Sequence, residues 1–418
     1  MADSTVVKTR LPTRVDLSSH AQAVVQTATA WLIDQGLEGH DLPDVVRGLG
    51  HKLRQLQLQV DRLGCAIVTL HPQITNEEIV WDAESDEART TLHTPAMMEI
   101  SANRSAPYFQ LASNGNTYSR FPVGREDGAT EGVLRQLSRE GYADYFAFFH
   151  PTGGSAEISP LLRRIGVVPS VVGSFATRRP GGFGDVELDC FKAVSKTLAL
   201  VAQARANYKT AAGVLDAYLG HACGSRVLDG QIVRGQSDQI RCGIWYCDMR
   251  DSSHLVTALS ADEYLALLNR YFDATAGAVM AAGGQVLKFI GDAVLGIFQS
   301  DRPGEDIAMR EQALAAVATT LRNVSSLTVL DRQVGVGIAL HVGEVMFGNV
   351  GTDDRLDFTI IGRAVNEAAR LQDLTKKLMH PVLASAAFVA PIADRFEFSG
   401  EHQVAGFNDK LDVYRLRI

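Results

Sequence analysis

The stretch that most restricts the fold is Gln285 to Phe298, QVLKFIGDAVLGIF. Two short apolar runs flank a Gly turn, a pattern that reads as a β-hairpin. Lys288 and Asp292 stand on either side of Ile290 and Gly291. Strand side chains alternate faces with period two, so such a hairpin can present both polar groups at its mouth. An ammonium and a carboxylate inside an apolar hairpin read either as a local ion pair or as chemistry.

Two further stretches bear on that choice. Ile240 to Ser253, IRCGIWYCDMRDSS, is an apolar strand that ends in Asp248 and a polar turn. Arg355 to Gln372, RLDFTIIGRAVNEAARLQ, is a strand, a Gly turn and a helix carrying Asn366 and Arg370. Those two are four apart and share one helical face. Here the chain resembles the catalytic domain of the class III nucleotidyl cyclases. That pattern is an Asp closing the first strand, a K-x-x-G-D hairpin and a T-x-x-G-x-x-V-N-x-A-x-R segment. Asp248, Lys288–Asp292 and Thr359 to Arg370 match it in order, and the resemblance covers about residues 234–418.

The resemblance implies an adenylyl cyclase that turns ATP into 3′,5′-cyclic AMP and pyrophosphate. The ribose 3′-hydroxyl would attack the α-phosphate with the help of two Mg²⁺ or Mn²⁺ ions per site. Asp248, Asp292 and the backbone carbonyl of Met249 would hold the metal. Lys288 and Thr359 would read the base. Lysine only donates while a Thr hydroxyl also accepts, which fits adenine, as in a bacterial Thr-type subgroup with a suggested bicarbonate response. Because a hydroxyl can donate as well, a guanylyl or mixed-specificity cyclase stays open. A non-catalytic cyclase-like module is the third reading. By the same resemblance Asn366 orients the ribose, and Arg370 stabilises charge on the α-phosphoryl group.

Three positions depart from the family. Glu344 stands where some members have an arginine for the terminal phosphates, Lys410 is displaced from the usual lysine, and Asp251 replaces a glycine. The terminal phosphates therefore fall to Lys410 or another base. The family builds its site between two catalytic domains, and this chain carries both halves of the set. A head-to-tail homodimer with shared sites is expected.

A length of 418 residues suggests two domains or more. A net charge of −8 argues against a nucleic-acid platform. No apolar run is long enough for a membrane span and no secretory signal stands out, so a cytoplasmic location is expected. Five cysteines without a C-x-x-C pair read as reduced, buried thiols. Among eleven histidines, His150 beside an aromatic strand is the one candidate for a cofactor contact.

The expected fold is α+β. A ferredoxin-like βαββαβ cyclase domain over 236–418 follows an N-terminal α/β domain over 19–184, with a flexible lead at 1–18. Ser170 to Thr177 followed by RPGGFGD is similar to the end of GAF-type domains, which implies a sensor or dimerisation module with an unnamed small-molecule ligand. His20 to Ile33 and Leu42 to Val60 have helical periodicity, with Gly36 and Gly39 between them, and Met97 to Ser101 reads as a short strand. The aromatic run Tyr145 to Phe149 reads as core packing, on a strand that Thr152-Gly-Gly breaks. Further on, Ala261 to Ala282 reads as an amphipathic helix capped by Ser260 and stopped by Gly283-Gly284, and Gln333 to His341 and Val345 to Val350 read as two strands. Asp185 to about Tyr218 reads as a long helix interrupted at Gly213, and residues 185–235 as a linker. Its apolar stripe suggests a parallel coiled coil with a second copy, or packing on its own domain.

Overall fold

The helical periodicity near the N-terminus becomes α1 (Ser19–Glu38) and α2 (Leu42–Gln55). The computed structural model describes residues 18–68, 76–94, 107–124, 132–152, 170–299 and 306–417. Residues 1–17 of the expected flexible lead, and the segments expected at 97–101 and 153–154, lie outside the described residues. Ser18 caps α1 by accepting from the Ala21 N–H, and Gly39, at φ 82°, ends it. The helix runs past Gly36, where the sequence suggested a break. A Cβ there would stand 3.1 Å from Val201, so Gly36 allows close helix contact rather than a turn.

Strands β1 (Arg62–Val68), β2 (Asn76–Asp82), β3 (Glu87–His93), β4 (Tyr118–Pro122), β5 (Asp144–Pro151) and β6 (Ser170–Thr177) form an antiparallel sheet. Its order is β3-β2-β1-β6-β5-β4. Short helices α3 (Pro107–Ser113) and α4 (Val133–Arg139) lie between strands in sequence. Neither β3 nor β4 stands out in the sequence; β3 is mostly exposed and lacks apolar alternation. The aromatic run is core, as read. Phe146 and Phe148 join the cluster built with α1 and α2, while Tyr145 and Ala147 pack on the other face with Leu111 and Leu137.

Helix α5 (Asp185–Leu219) passes through Gly213 without interruption, a correction to the sequence reading. One interior glycine costs about 1 kcal/mol, which a long helix with a buried face absorbs. The chain divides at Gly213/Val214 into two compact units. Phe191, Val194, Leu198 and Ala202 of α5 are buried in the first unit's core, so much of the stripe is covered without a second copy. Phe175 and Phe191 stack with centroids 4.3 Å apart.

His150 has structural partners. Its Nε2 lies 3.0 Å from the Ser195 hydroxyl, and its ring meets Tyr118 edge-on. Burial, then nearby Lys196, lowers its pKa to about 4. Above pH 6.5 the ring is neutral in both folded and unfolded chains. Between about 6.5 and 4 the unfolded chain takes a proton that the folded unit refuses, so stability falls as pH falls through that window. Denaturant unfolding of wild type and His150→Gln from pH 7.5 to 4.5 should diverge, with the variant less acid-sensitive. Parallel curves would refute this account.

The second unit begins with α6 (His221–Leu228), then β7 (Ser237–Met249), α7 (Ser252–Ala258) and α8 (Ala261–Ala281). Ser260 and Glu263 form a capping box on α8. The hairpin β8 (Gln285–Ile290) and β9 (Ala293–Gln299) follows, then α9 (Asp306–Ser325) and a small ribbon, β10 (Thr328–Val329) with β11 (Arg332–Gln333). The rest is β12 (Val336–Gly351), β13 (Leu356–Ile361), α10 (Arg363–Lys377), β14 (Val382–Ser385), α11 (Ala386–Val389), β15 (Phe396–His402) and β16 (Leu411–Leu416).

The sheet order is β15-β16-β14-β12-β7-β9-β8, with β13 also paired to β12. The four strands β7, β8, β9 and β12 thus lie side by side as β12-β7-β9-β8, the ferredoxin-like arrangement. Trp245, Tyr271 and Phe298 centre the core beneath α8 and α9, and α6 and α10 cover a second cluster around Phe347 and Phe358. The sequence suggested two strands between 333 and 350, but β12 is one. It pairs with β7 without a break from Val336↔Met249 to Gly348↔Ser237. Gly343 makes no turn; a Cβ there would stand 2.5 Å from that of Ala364, so it lets α10 approach the sheet. All five cysteines are free and buried. Among the described residues no helix is long and apolar enough to cross a membrane.

Candidate active site

β7 carries Asp248 and Met249 at its end, and the turn between β8 and β9 carries Asp292. The turn closes tightly because Gly291 sits at φ 65°, where a side chain would be strained. Asp292 accepts from the Met249 backbone N–H at 3.1 Å. Its carboxyl is pushed up to about 6 by burial, then by its hydrogen bond with Asp248 and that group's charge. Asp251 adopts the left-handed conformation, φ 57°, that explains a glycine preference there and that Asp tolerates better than most residues.

Two acidic groups forced together in this way suit a cation. In the structure an ammonium faces them: Lys376 of α10 donates to Asp248 Oδ2 at 2.6 Å. Among the described residues no group of three or more His, Cys, Asp or Glu could hold a metal. A carboxylate pair completed by phosphates and water is what Mg²⁺ accepts. Asp248 and Asp292 therefore fit such an ion. Arg250 steadies the same region, its Nη2 donating to the carbonyls of Thr375 at 2.8 Å and His380 at 2.9 Å at the end of α10.

Lys288 is paired with Asp357 of β13, not with Asp292, so the hairpin holds no local ion pair of its own charges. A bulge between Val286 and Lys288 sets the register there. Phe358 and Ile360 enter the core, so Asp357 and buried Thr359 share the opposite face of β13. The structure thus sets Lys288 against Asp357, with Thr359 two residues further along the same face of β13.

Asn366 and Arg370 lie on the exposed face of α10, while Ala364, Ala368 and Leu371 bury the other face. They line a cavity of about 450 Å³ with Arg363 and residues 405–409. Arg370 Nη1 contacts Asp373 at 3.3 Å. Lys410 pairs with Glu401 and is not among the cavity's lining residues. Glu344 lies out on β12, bonded to Gln239. Sequence reasoning missed Lys376, Arg250 and Arg363. Only helical spacing pointed to Arg363, which stands three residues before Asn366 and seven before Arg370.

The two charged faces of α10 diverge. At 100° and 1.5 Å per residue, Lys376 lies about 9 Å beyond Arg370 along the axis and about 100° around from the face of Asn366 and Arg370. Asp248 and Asp292 are not among the residues that line the Asn366–Arg370 cavity.

Residues 235–417 match the family model of the adenylate and guanylate cyclase catalytic domain. By that match this segment is similar to the class III adenylate and guanylate cyclase catalytic domain, and the match covers less than half of the chain. The chain is 31% identical over 193 residues to an adenylate cyclase of Anabaena cylindrica, covering 44% of this chain and 38% of that protein. It is 29% identical over 178 residues to adenylate cyclase 1 of Rhizobium meliloti, covering 41% of this chain and 26% of that one. It thus spans well under half the length of these curated relatives. The crystal structure of the adenylyl cyclase CyaB from P. aeruginosa matches with a TM-score of 0.37 and 23% identity, over 44% of this chain and 96% of that one.

Proposed function

We propose that this protein converts ATP into 3′,5′-cyclic AMP and pyrophosphate at sites shared between two copies. The observation that carries the reading is the Asp248–Asp292 pair: Asp292, in the hairpin turn, accepts the N–H of Met249, the residue next to Asp248 at the end of β7. A divalent cation bound there, Mg²⁺ or Mn²⁺, would activate the 3′-hydroxyl and neutralise charge on the departing pyrophosphate. Asn366 orients the ribose. Arg370, permanently charged and planar, meets charge developing on the α-phosphoryl group. Lys288 and Thr359 hold the adenine edge, with Lys288 aimed by Asp357.

The divergence of the two faces of α10 supports a head-to-tail pair in which each site takes its carboxylates from one copy and its Asn and Arg from the other. Exposed apolar side chains give such a pair something to bury: Phe289 and Ile290 at the hairpin tip, and Met346 and Ile361 on β12 and β13. The first unit, an antiparallel sheet with helices packed on it, serves in this reading as a GAF-like sensor of a small ligand. A second reading, GTP as substrate, draws on Asp357. Its carboxylate is an acceptor beside Lys288 and could take the N–H that guanine offers and adenine lacks.

Product formation by the purified full chain with ATP and, separately, GTP, in Mg²⁺ and Mn²⁺, tests the reading. Cyclic AMP as the main product is expected. Cyclic GMP as the main product would transfer base reading to Asp357, and no cyclic product under any condition would refute a catalytic role.

A further inference from the structure

The cavity beside Asn366 and Arg370 contains a cation that neither the family match nor the reaction outlined above has assigned. Positions 363, 366 and 370 fall at i, i+3 and i+7, so their side chains share one face of α10. Residues 405–409 form the opposite wall. Arg363 spans that gap: its guanidinium lies 5.5 Å from the centroid of the Phe407 ring. Its Nε donates to Glu367 at 2.8 Å, while its two terminal nitrogens make no hydrogen bond among the described residues. Phe407 and Glu367 thus fix the orientation of a guanidinium whose outer donors are available.

The lining of the cavity presents two guanidiniums, Arg363 and Arg370, and one carboxylate, that of Asp409, while Glu367 and Asp373, which partner the two arginines, stand outside the lining. Gly362 gives α10 no side-chain cap, so the N-terminal N–H groups of the helix add to the positive field. The far wall leaves room: a Cβ built on Gly406 would meet nothing within 4 Å.

We propose that Arg363 and Arg370 form a two-arginine subsite for a polyphosphate, with Arg363 holding the terminal phosphates of the nucleotide while Arg370 meets the α-phosphate. The naming of the nucleotide rests on the cyclase reading; the polyphosphate chemistry does not. Arginine suits the task because its planar donors bind phosphate oxygens in pairs. This answers the question left by Lys410, whose ammonium is engaged with Glu401.

Calorimetric binding of inorganic tripolyphosphate and of AMP to the full chain, without divalent cation, tests the subsite with wild type, Arg363→Gln and Arg363→Lys. Tripolyphosphate affinity should fall about tenfold in Arg363→Gln and less in Arg363→Lys. AMP, which lacks the outer phosphates, should bind within about twofold of wild type throughout. In turnover, Arg363→Gln should raise KM for the nucleotide more than it lowers kcat. Equal tripolyphosphate binding by wild type and Arg363→Gln, or no binding by wild type, would overturn the subsite. So would an equal loss of AMP binding, which would mean that Arg363 only shapes the wall. Nucleotide turnover with an indifferent Arg363 sinks the subsite and leaves the cyclase reading standing. Tripolyphosphate binding lost in Arg363→Gln, without turnover in wild type, does the reverse.

Discussion

Asp292→Asn should lower cyclic nucleotide formation by about three orders of magnitude and leave the fold in place. Asp292 has two tasks that this substitution separates. Its oxygen accepts the Met249 N–H, which an Asn carbonyl can also do. Its charge, shared with Asp248, is what a divalent cation needs, and Asn does not supply it. Removing a charge whose pKa is raised by burial and by a like neighbour should also relieve repulsion. The variant is therefore expected to unfold at a temperature no lower than wild type. Chromatographic product assays, thermal unfolding and Mn²⁺ binding by electron paramagnetic resonance check this together. Retention of more than a tenth of wild-type activity with unchanged Mn²⁺ affinity would remove Asp292 from the reaction.

Mixing two inactive variants should restore activity. Arg370→Ala loses the α-phosphate contact and Asp292→Ala loses the carboxylate pair. If each site draws these groups from different copies, a mixed dimer has one site with both defects and one with neither. With free exchange at equal amounts, half the dimers are mixed, so the mixture should reach about a quarter of the wild-type rate. Differently tagged chains establish that exchange has occurred. Silence after proven exchange would mean that each chain uses its own Asp292 with its own Arg370. The roughly 100° separation between the two faces of α10 argues against that arrangement.

Much of the catalytic unit was legible because its elements carry strong periodic signals. β7 is an apolar run that ends on an acid, α8 has a three–four apolar stripe closed by Ser260 and Gly283, and the hairpin has its Gly turn. Glycine misled where it serves packing instead of turning. Gly36, Gly343 and Gly213 each suggested a break, yet the first two permit close approach and the third sits within α5. Partners across the chain were illegible for another reason. Lys288 reaches Asp357 and Lys376 reaches Asp248, pairings that local spacing does not encode. The polar strand β3 was missed because pairing with β2, not its own apolar pattern, makes it a strand.

The Lys376–Asp248 pair gives the carboxylates a counter-ion that the chain itself supplies. Under the proposed reaction, loading a divalent cation is then an exchange of one positive occupant for another, not the filling of a bare acidic hole. The displaced ammonium belongs to the same helix that presents Asn366 and Arg370 on its other face. In a head-to-tail pair those two residues serve the neighbouring site. A single rigid rod would then connect ion uptake at one centre with substrate handling at the other, so the two halves of the dimer need not turn over independently.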